Sequence, residues 1–393
     1  MFNILAANKI AKCGIDELPV KQFSVYNIPD QQGDEKPQGI LIRSYVLPEE
    51  DLNKELLAIS RAGAGTNNIP IQACTNKGIV VFNTPGANAN AVKELVLCSL
   101  LMASRNIVGG IEWSKNLKGQ ENVAKTVEKN KHRFVGPEIS GKTLGVVGLG
   151  AIGVLVANAA RSLGMNVYGY DPFISVDAAW GMSPGVRKSE DLNSMLELCD
   201  YISIHVPLNQ NTQGMFNDEL FANCKRGIKL INLSRAELVD NNCVKKAIAD
   251  GIVHLYVTDF PTEDILDDDK IIPIPHLGAS TPESEDNCAT MAAIQLRDYL
   301  LYGNIKNSVN FPDCSLPYSG QKRICIIHKN VANVIGNITG LLAEKNINID
   351  NMLNKSKGDH AYTMIDIDRD RSNLNKIEID LEKIENIMKV RVI

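Results

Sequence analysis

The sequence predicts an α/β protein of two parallel, helix-flanked sheets with a small βαββαβ unit at its C-terminal end. Three observations predict it. From Phe2 to about residue 280, short apolar runs alternate with polar helical stretches, the rhythm of parallel sheets covered on both faces. A glycine-spaced turn, Gly148-Leu149-Gly150-Ala151-Ile152-Gly153, joins a strand-like segment to a helix-like one. Residues 322–393 then change rhythm, with alternating strand patterns paired through a Gly turn.

Taken in order, residues 1–100 carry apolar runs at Phe2–Ala6, Gly39–Arg43, Leu56–Ala62 and Gly78–Phe82. From 101 to 280, strands are expected at Thr143–Val147, Asn166–Tyr170, Tyr201–Val206, Lys229–Leu233, His254–Asp259 and Ile271–Ile274, with helical segments between most of them. That pattern is a Rossmann-like doubly wound sheet, which binds ligands at the carboxyl ends of its strands. Thr281 as N-cap and Pro282 at the first helical position open a helix expected to reach Tyr302 and stop at Gly303. Its length suggests a return to the N-terminal segment. The first domain is then discontinuous, 1–100 plus 281–310, around a second domain at 101–280. Residues 311–321, with Pro312, Pro317 and Gly320, are expected as a linker.

In 322–393, Arg323–His328 is a strand and Val334, Ile338 and Leu341/Leu342 keep helical spacing. Ile347–Leu353 and Ala361–Ile367 alternate like strands around the turn Lys357-Gly358-Asp359. A charged helix over Ile379–Met388 and a strand Val390–Ile393 complete the unit. Its open sheet edge favours pairing with a second copy.

Composition narrows the function. A length of 393 residues, 44% hydrophobic and 22% charged, suits two or three soluble domains. A net charge of −5 gives no case for a nucleic-acid or membrane surface, so an anionic ligand must be met by a few local cations. Nine cysteines without a C-x-x-C pair fit free thiols in a reducing compartment, and no signal peptide or long apolar span is visible, so a cytoplasmic location is expected. The acidic run Asp267–Asp269 has no ligand spacing, and no metal is expected.

The glycine turn reads as a dinucleotide clasp. Gly148 permits the tight turn, Gly150 lets backbone approach a pyrophosphate, and Gly153 lets the helix pack on the strand. The helix start at Ala151 and Ile152 offers N–H groups to phosphate. Asp171 follows the next strand, 171 − 153 = 18 residues after the last glycine, near the offset of about 20 for the acid that bonds a ribose 2′-hydroxyl. An acid there repels a 2′-phosphate, so NAD is expected.

Three polar groups follow later strands: Arg235, Glu263 and His276. Hydride removal from a carbinol needs a base for the hydroxyl proton, which His supplies near neutral pH. A carboxylate would fix the imidazole, and an Arg fork matches a substrate carboxylate. Their order after a nucleotide clasp suggests a 2-hydroxy acid dehydrogenase. His205 and His254 fall within strands and read as core or cofactor-wall residues.

Gly136–Gly145 leading into the clasp, His205-Val206-Pro207-Leu208, Asn232-Leu233-Ser234-Arg235 and Pro275-His276-Leu277-Gly278-Ala279-Ser280-Thr281 together resemble the D-isomer-specific 2-hydroxy acid dehydrogenase family, most closely its branch acting on D-3-phosphoglycerate. The resemblance covers essentially the whole chain. It implies NAD-dependent oxidation of D-3-phosphoglycerate to 3-phosphohydroxypyruvate, the first step of the phosphorylated route to L-serine. It also implies a flavodoxin-like fold for the discontinuous domain. Arg235 would bind the substrate carboxylate, Glu263 orient His276, and His276 exchange the hydroxyl proton. Thr84, His205, Val206, Pro207, Ser234, Asp259 and Gly278 would line the cofactor. Arg61, in Ser60–Thr66, would hold the 3-phosphate with Ala62, Gly63 and Asn83, and Asn88 and Asn90 as further contacts.

The C-terminal unit resembles an ACT domain, a ferredoxin-like module that binds amino acids between paired copies. His328, Asn330 and Asn348 match its serine site, which implies an L-serine effector and a homo-oligomer, dimer or tetramer. Two features depart from the family. Asp264 replaces the Pro after the acid, and the spacing from a strand-end Asp is one residue short, so either the loop after Asp259 is shorter or Thr258 takes the Asp position. In the ACT loop, Ala332-Asn333 replaces Pro-Gly. The alternatives are a relative acting on glyoxylate, hydroxypyruvate or 2-hydroxyglutarate, and a non-catalytic NAD-sensing protein.

Overall fold

The computed structural model describes residues 1–27, 36–368 and 374–393. The chain divides into two compact units, Met1–Asn88 with Glu285–Ile393, and Ala89–Ser284.

In the first unit, β1 (Phe2–Ala6), β2 (Phe23–Asn27), β3 (Gly39–Ile42), β4 (Ala58–Arg61) and β5 (Val80–Phe82) form a sheet of order β2-β1-β3-β4-β5. All its neighbours are parallel. β3 is buried along its whole length, as an apolar run inside a doubly covered sheet must be. The helix Pro282–Tyr302 packs Ala292, Ala293, Leu296 and Tyr299 against Ile4, Leu41 and Phe82. It ends as expected, at Gly303 with φ +72°.

The second unit contains β6 (Thr143–Val147), β7 (Asn166–Tyr170), β8 (Val186–Lys188), β9 (Tyr201–Ile204), β10 (Ile228–Asn232), β11 (Val253–Thr258) and β12 (Ile271–Pro273). Their order is β12-β11-β10-β9-β6-β7-β8, again all parallel. The order reverses between β6 and β9, the switch point at which open α/β sheets hold ligands. The helix Ala89–Ser104 belongs here, because Val92, Val96, Leu100 and Ala103 share a core with Leu144, Val146, Val156 and Ala157. The division between units thus falls at residue 88, not the expected 100.

The C-terminal residues form the expected βαββαβ unit: β13 (Lys322–Lys329), helix Val334–Glu344, β14 (Ile349–Lys357), β15 (His360–Ile367), helix Leu374–Glu382 and β16 (Ile387–Val392). Its antiparallel order is β14-β15-β13-β16. One sheet face, Ile324, Ile326 and Ile365, packs under the two helices with Ile338, Leu342 and Leu381. The other, Cys325, Ile327, Tyr362 and Met364, joins the core of Phe82, Leu296 and Tyr299. Residues 311–321 therefore do not act as a free linker. Phe311 and Cys314 are buried, and the carbonyls of Leu316 and Pro317 accept from Arg323 at 2.9 and 2.8 Å. The last helix lies earlier than the expected 379–388, because Asn386 turns left-handed (φ +70°) and Ile387 then pairs with His328.

Candidate active site

The second unit brings most of the expected groups to one edge of its sheet. Every strand there is parallel, so every strand-end residue emerges on the carboxyl edge. β6 delivers Gly148, β7 Asp171, β9 His205, β10 Ser234 and Arg235, β11 Asp259, and β12 His276.

The clasp has the geometry its glycines require. Gly148 takes φ +92°, and a Cβ there would lie 2.7 Å from the carbonyl of His205. A Cβ on Gly153 would collide with the carbonyl oxygen of Gly148, so only glycine allows the helix to start this close to the strand. A Cβ on Gly150 would meet open space, a cradle that any larger residue would fill. The first intrahelical bond runs from Val154 N to the Gly150 carbonyl (3.1 Å). The N–H groups of Ala151, Ile152 and Gly153 therefore precede the ladder at the positive end of a 12-residue helix. Asp171 accepts from Leu149 N and Phe173 N, each at 2.8 Å, which fixes a carboxylate beside the turn. These features fit a dinucleotide whose ribose 2′ position carries a hydroxyl.

His205 N donates to the Val147 carbonyl (2.7 Å), and its Nε2 meets Ser203 Oγ at 2.8 Å. Its Nδ1 is sealed from solvent without a partner, and burial pushes the imidazole down to about 4. Val206 is half-buried and Pro207 exposed. His254, by contrast, lies on β11 and is exposed, away from these strand ends.

Arg235 is aimed by its neighbours. Fully buried Asn232 accepts from Ser234 N (3.2 Å) and donates to the Arg235 carbonyl (2.8 Å), while Ser234 Oγ donates to the Ile204 carbonyl (2.7 Å). Asn232 is thus a positioning residue whose signal was its place at a strand end, one turn before a cation. The exposed Arg235 guanidinium meets the Ser234 carbonyl at 2.6 Å.

Asp259 is the central group. It is 1% exposed, and both carboxylate oxygens are sealed from solvent with no well-formed hydrogen bond among the described residues. Burial raises its pKa, opposed first by the charge of His276 and also by that of Arg235, so the three share one electrostatic neighbourhood. A Cβ on Gly278 would stand 3.5 Å from its Oδ2. The exposed His276 ring packs edge-on against Phe260 with centroids 4.9 Å apart. Glu263 is exposed at the start of the short turn Glu263–Ile265, and no hydrogen bond joins it to His276 among the described residues. Its neighbour Asp264 is held away by Thr262 Oγ1 (2.7 Å), Asn241 Nδ2 (3.1 Å) and Lys245 Nζ (3.7 Å). Asp259, the residue directly after β11, thus lies within electrostatic reach of His276.

In the first unit, Arg61 ends β4 and donates from Nε to the Arg43 carbonyl (3.1 Å). Gly63 has φ +156°, and a Cβ there would sit 2.6 Å from Arg61 Nη1, so the guanidinium lies across bare backbone. Ala62 is buried, and Asn83 Nδ2 donates to the Ala64 carbonyl (2.6 Å). Thr84 is fully buried with an unpartnered Oγ1, and Asn88 Oδ1 is likewise unpartnered. In the second unit, Asn90 is bonded to Glu94 on its own helix (2.9 Å).

In the C-terminal module, His328 is turned inward. It is 2% exposed, with Nδ1 on the Lys329 carbonyl (2.8 Å) and Nε2 on Thr363 Oγ1 (2.9 Å), so it offers a ligand nothing. Asn330 donates to the Gly358 carbonyl (3.1 Å) and Asn348 to Asp350 (2.9 Å). Pairing of Lys329 with His360, and of Ile349 with Ile367, puts Asn330 and Asn348 at opposite ends of the sheet. A ligand touching both must take them from two copies. Asn333 adopts φ +70°, so the turn survives the loss of glycine.

Residues 97–280 match the family model described as D-isomer specific 2-hydroxyacid dehydrogenase, NAD binding domain. A D-3-phosphoglycerate dehydrogenase of Haemophilus influenzae is 31% identical over 374 residues, which cover 90% of this chain and 86% of that protein. The chain belongs to the D-isomer specific 2-hydroxyacid dehydrogenase family. The D-3-phosphoglycerate dehydrogenase of Sus scrofa is 34% identical over 282 residues, 70% of this chain. The chain spans about half the length of that mammalian relative. Among solved structures, an NAD+-bound 3-phosphoglycerate dehydrogenase of Entamoeba histolytica superposes with a TM-score of 0.61 at 27% identity, over 79% of this chain and 98% of that one. The clasp around Gly148–Gly153 lies within the residues that match the NAD binding domain.

Proposed function

We propose that this chain oxidises D-3-phosphoglycerate to 3-phosphohydroxypyruvate with NAD, as the entry step of a route to L-serine. The observation that carries the reading is the buried Asp259 carboxylate, which feels the charges of His276 and Arg235 on the strand edge that holds the clasp. The names of the relatives support the substrate. When bound, NAD supplies the hydride acceptor. Arg235 pairs with the substrate carboxylate in a two-pronged fork. His276 takes the hydroxyl proton, and Asp259 offsets the positive charge the imidazole then gains. Glu263 joins as an orienting group for His276, and Arg61 supplies the cation for the 3-phosphate.

Nine free thiols are consistent with a reducing, cytoplasmic setting. Among the described residues, no single helix is long and apolar enough to cross a membrane. We assign a homo-oligomer, since an L-serine site using Asn330 and Asn348 needs two copies.

NADH absorbance with a panel of 2-hydroxy acids tests the substrate. D-3-phosphoglycerate should be preferred, and Arg61→Ala should raise KM about 10–100-fold for it alone. Faster turnover of an unphosphorylated acid, with Arg61→Ala indifferent to the phosphate, would overturn the assignment.

A further inference from the structure

The first unit contains an open pocket of about 520 Å³ between the edge strand β14 and the segment after the helix Pro282–Tyr302. Lys355, Lys357, Asn307, Asp313 and Asn83 are among the side chains that line it. The two lysines are two residues apart on a strand, so they rise on the same face, about 7 Å apart along it. Lys357 gives its ammonium only to neutral carbonyls, those of Ser308 (3.0 Å) and Val309 (3.1 Å). Neither lysine has an ion-pair partner among the described residues. Asp313 is the one acid in the lining, so the pocket carries a net positive charge.

Part of the lining is fixed by the protein's own hydrogen bonds. Asn307 is held in the left-handed region (φ +60°) and donates to Gln295 Oε1 (2.8 Å). Gln295 in turn donates to the Asn83 carbonyl (3.0 Å) and is 6% exposed. One buried side chain therefore ties Asn307 to Asn83. Preformed walls lower the ordering cost of binding, and two ammonium groups on one face match a divalent oxyanion.

We propose that this pocket is an effector site for a small organic anion, with a carboxylate or phosphate group held by Lys355 and Lys357. Occupancy bridges β14 of the C-terminal module to Asn83, whose next neighbour is the buried Thr84. The site differs from any held between two copies of the module, because all its groups come from one chain.

Calorimetric titration of the full chain with inorganic phosphate and, separately, with malonate tests it. The titration uses an Arg61→Gln, Arg235→Gln background, which removes both cations assigned to the dehydrogenase site. Saturable binding should appear, weaken about tenfold or more in Lys355→Glu, and persist in Lys355→Arg. Lys355 is exposed, so neither change threatens folding. Binding by phosphate alone assigns a phosphorylated effector, and by malonate alone a carboxylate one. No saturable binding of either anion, or an isotherm unchanged by Lys355→Glu, overturns the proposal. Because the readout is binding, it stands or falls independently of the dehydrogenase assignment.

Discussion

Asp259 is held in the folded chain at a cost. Its folded pKa lies above its unfolded value because burial disfavours the charge. Stability from that group is complete below the unfolded pKa and is lost as pH rises through the folded one. Asp259→Asn should therefore raise the urea midpoint at pH 8, with a smaller gain at pH 4.5, while kcat/KM falls about 10²-fold or more. Equal stability at both pH values would show that the carboxylate is not strained by burial. His205 has the opposite sign. Its pKa is depressed from 6.5 to about 4, so its contribution is present above pH 6.5 and lost as pH falls toward 4. That amounts to on the order of 3 kcal/mol, and urea titrations of His205→Asn should be flatter than wild type over this window. The residues doing this were legible as types at spacings: glycines, Asp171, Arg235 and His276 are read directly from the chain. The electrostatic link of Asp259 to His276 was not, because burial of that carboxylate depends on how the loop after β11 folds.

The helix Pro282–Tyr302 shows what an element can hide. Its start and stop were visible in Thr281-Pro282 and Gly303, because caps are local chemistry. Its C-terminal carbonyls have a less local solution. Arg391 donates to Tyr299 (3.3 Å) and Leu300 (2.9 Å), Arg323 to Tyr302 (2.9 Å), and Tyr362 Oη to Gly303 (2.8 Å). Two guanidinium groups of the C-terminal sheet thus stand at the negative end of the helix dipole. Arg323 also pairs twice with the buried Asp366, at 2.6 and 3.0 Å. Arg323→Met should cost about 3–5 kcal/mol in urea unfolding by stranding that carboxylate, and adding Asp366→Leu should recover much of it. No recovery would place the cost in the lost carbonyl caps instead. β2 and β8 escaped the sequence pattern for a plain reason. They are five- and three-residue edge strands, too short and half-exposed to show a buried run.

At the scale of the molecule, the sheet classes and the discontinuous first unit follow from the order of apolar runs. The attachment of the C-terminal module does not. Linker composition at 311–321 suggests freedom, yet its packing depends on which face of a distant sheet is apolar on both sides. Because Met364 shares a core with Phe82 and Leu296, Met364→Ala should cost about 2–5 kcal/mol and speed hydrogen exchange in β1 and β5 as well as in β13 and β15. Faster exchange confined to β13–β16 would mean the two sheets open independently.

The account rests on one imidazole and one guanidinium serving the same bound substrate at the carboxyl edge of β10–β12. The most direct measurement is single-turnover NADH formation from D-3-phosphoglycerate by His276→Ala and Arg235→Ala, with NAD affinity followed by fluorescence in the same samples. Rates should fall about 10²–10⁴-fold while NAD affinity stays within a few fold of wild type. Wild-type rates in either variant would contradict the account.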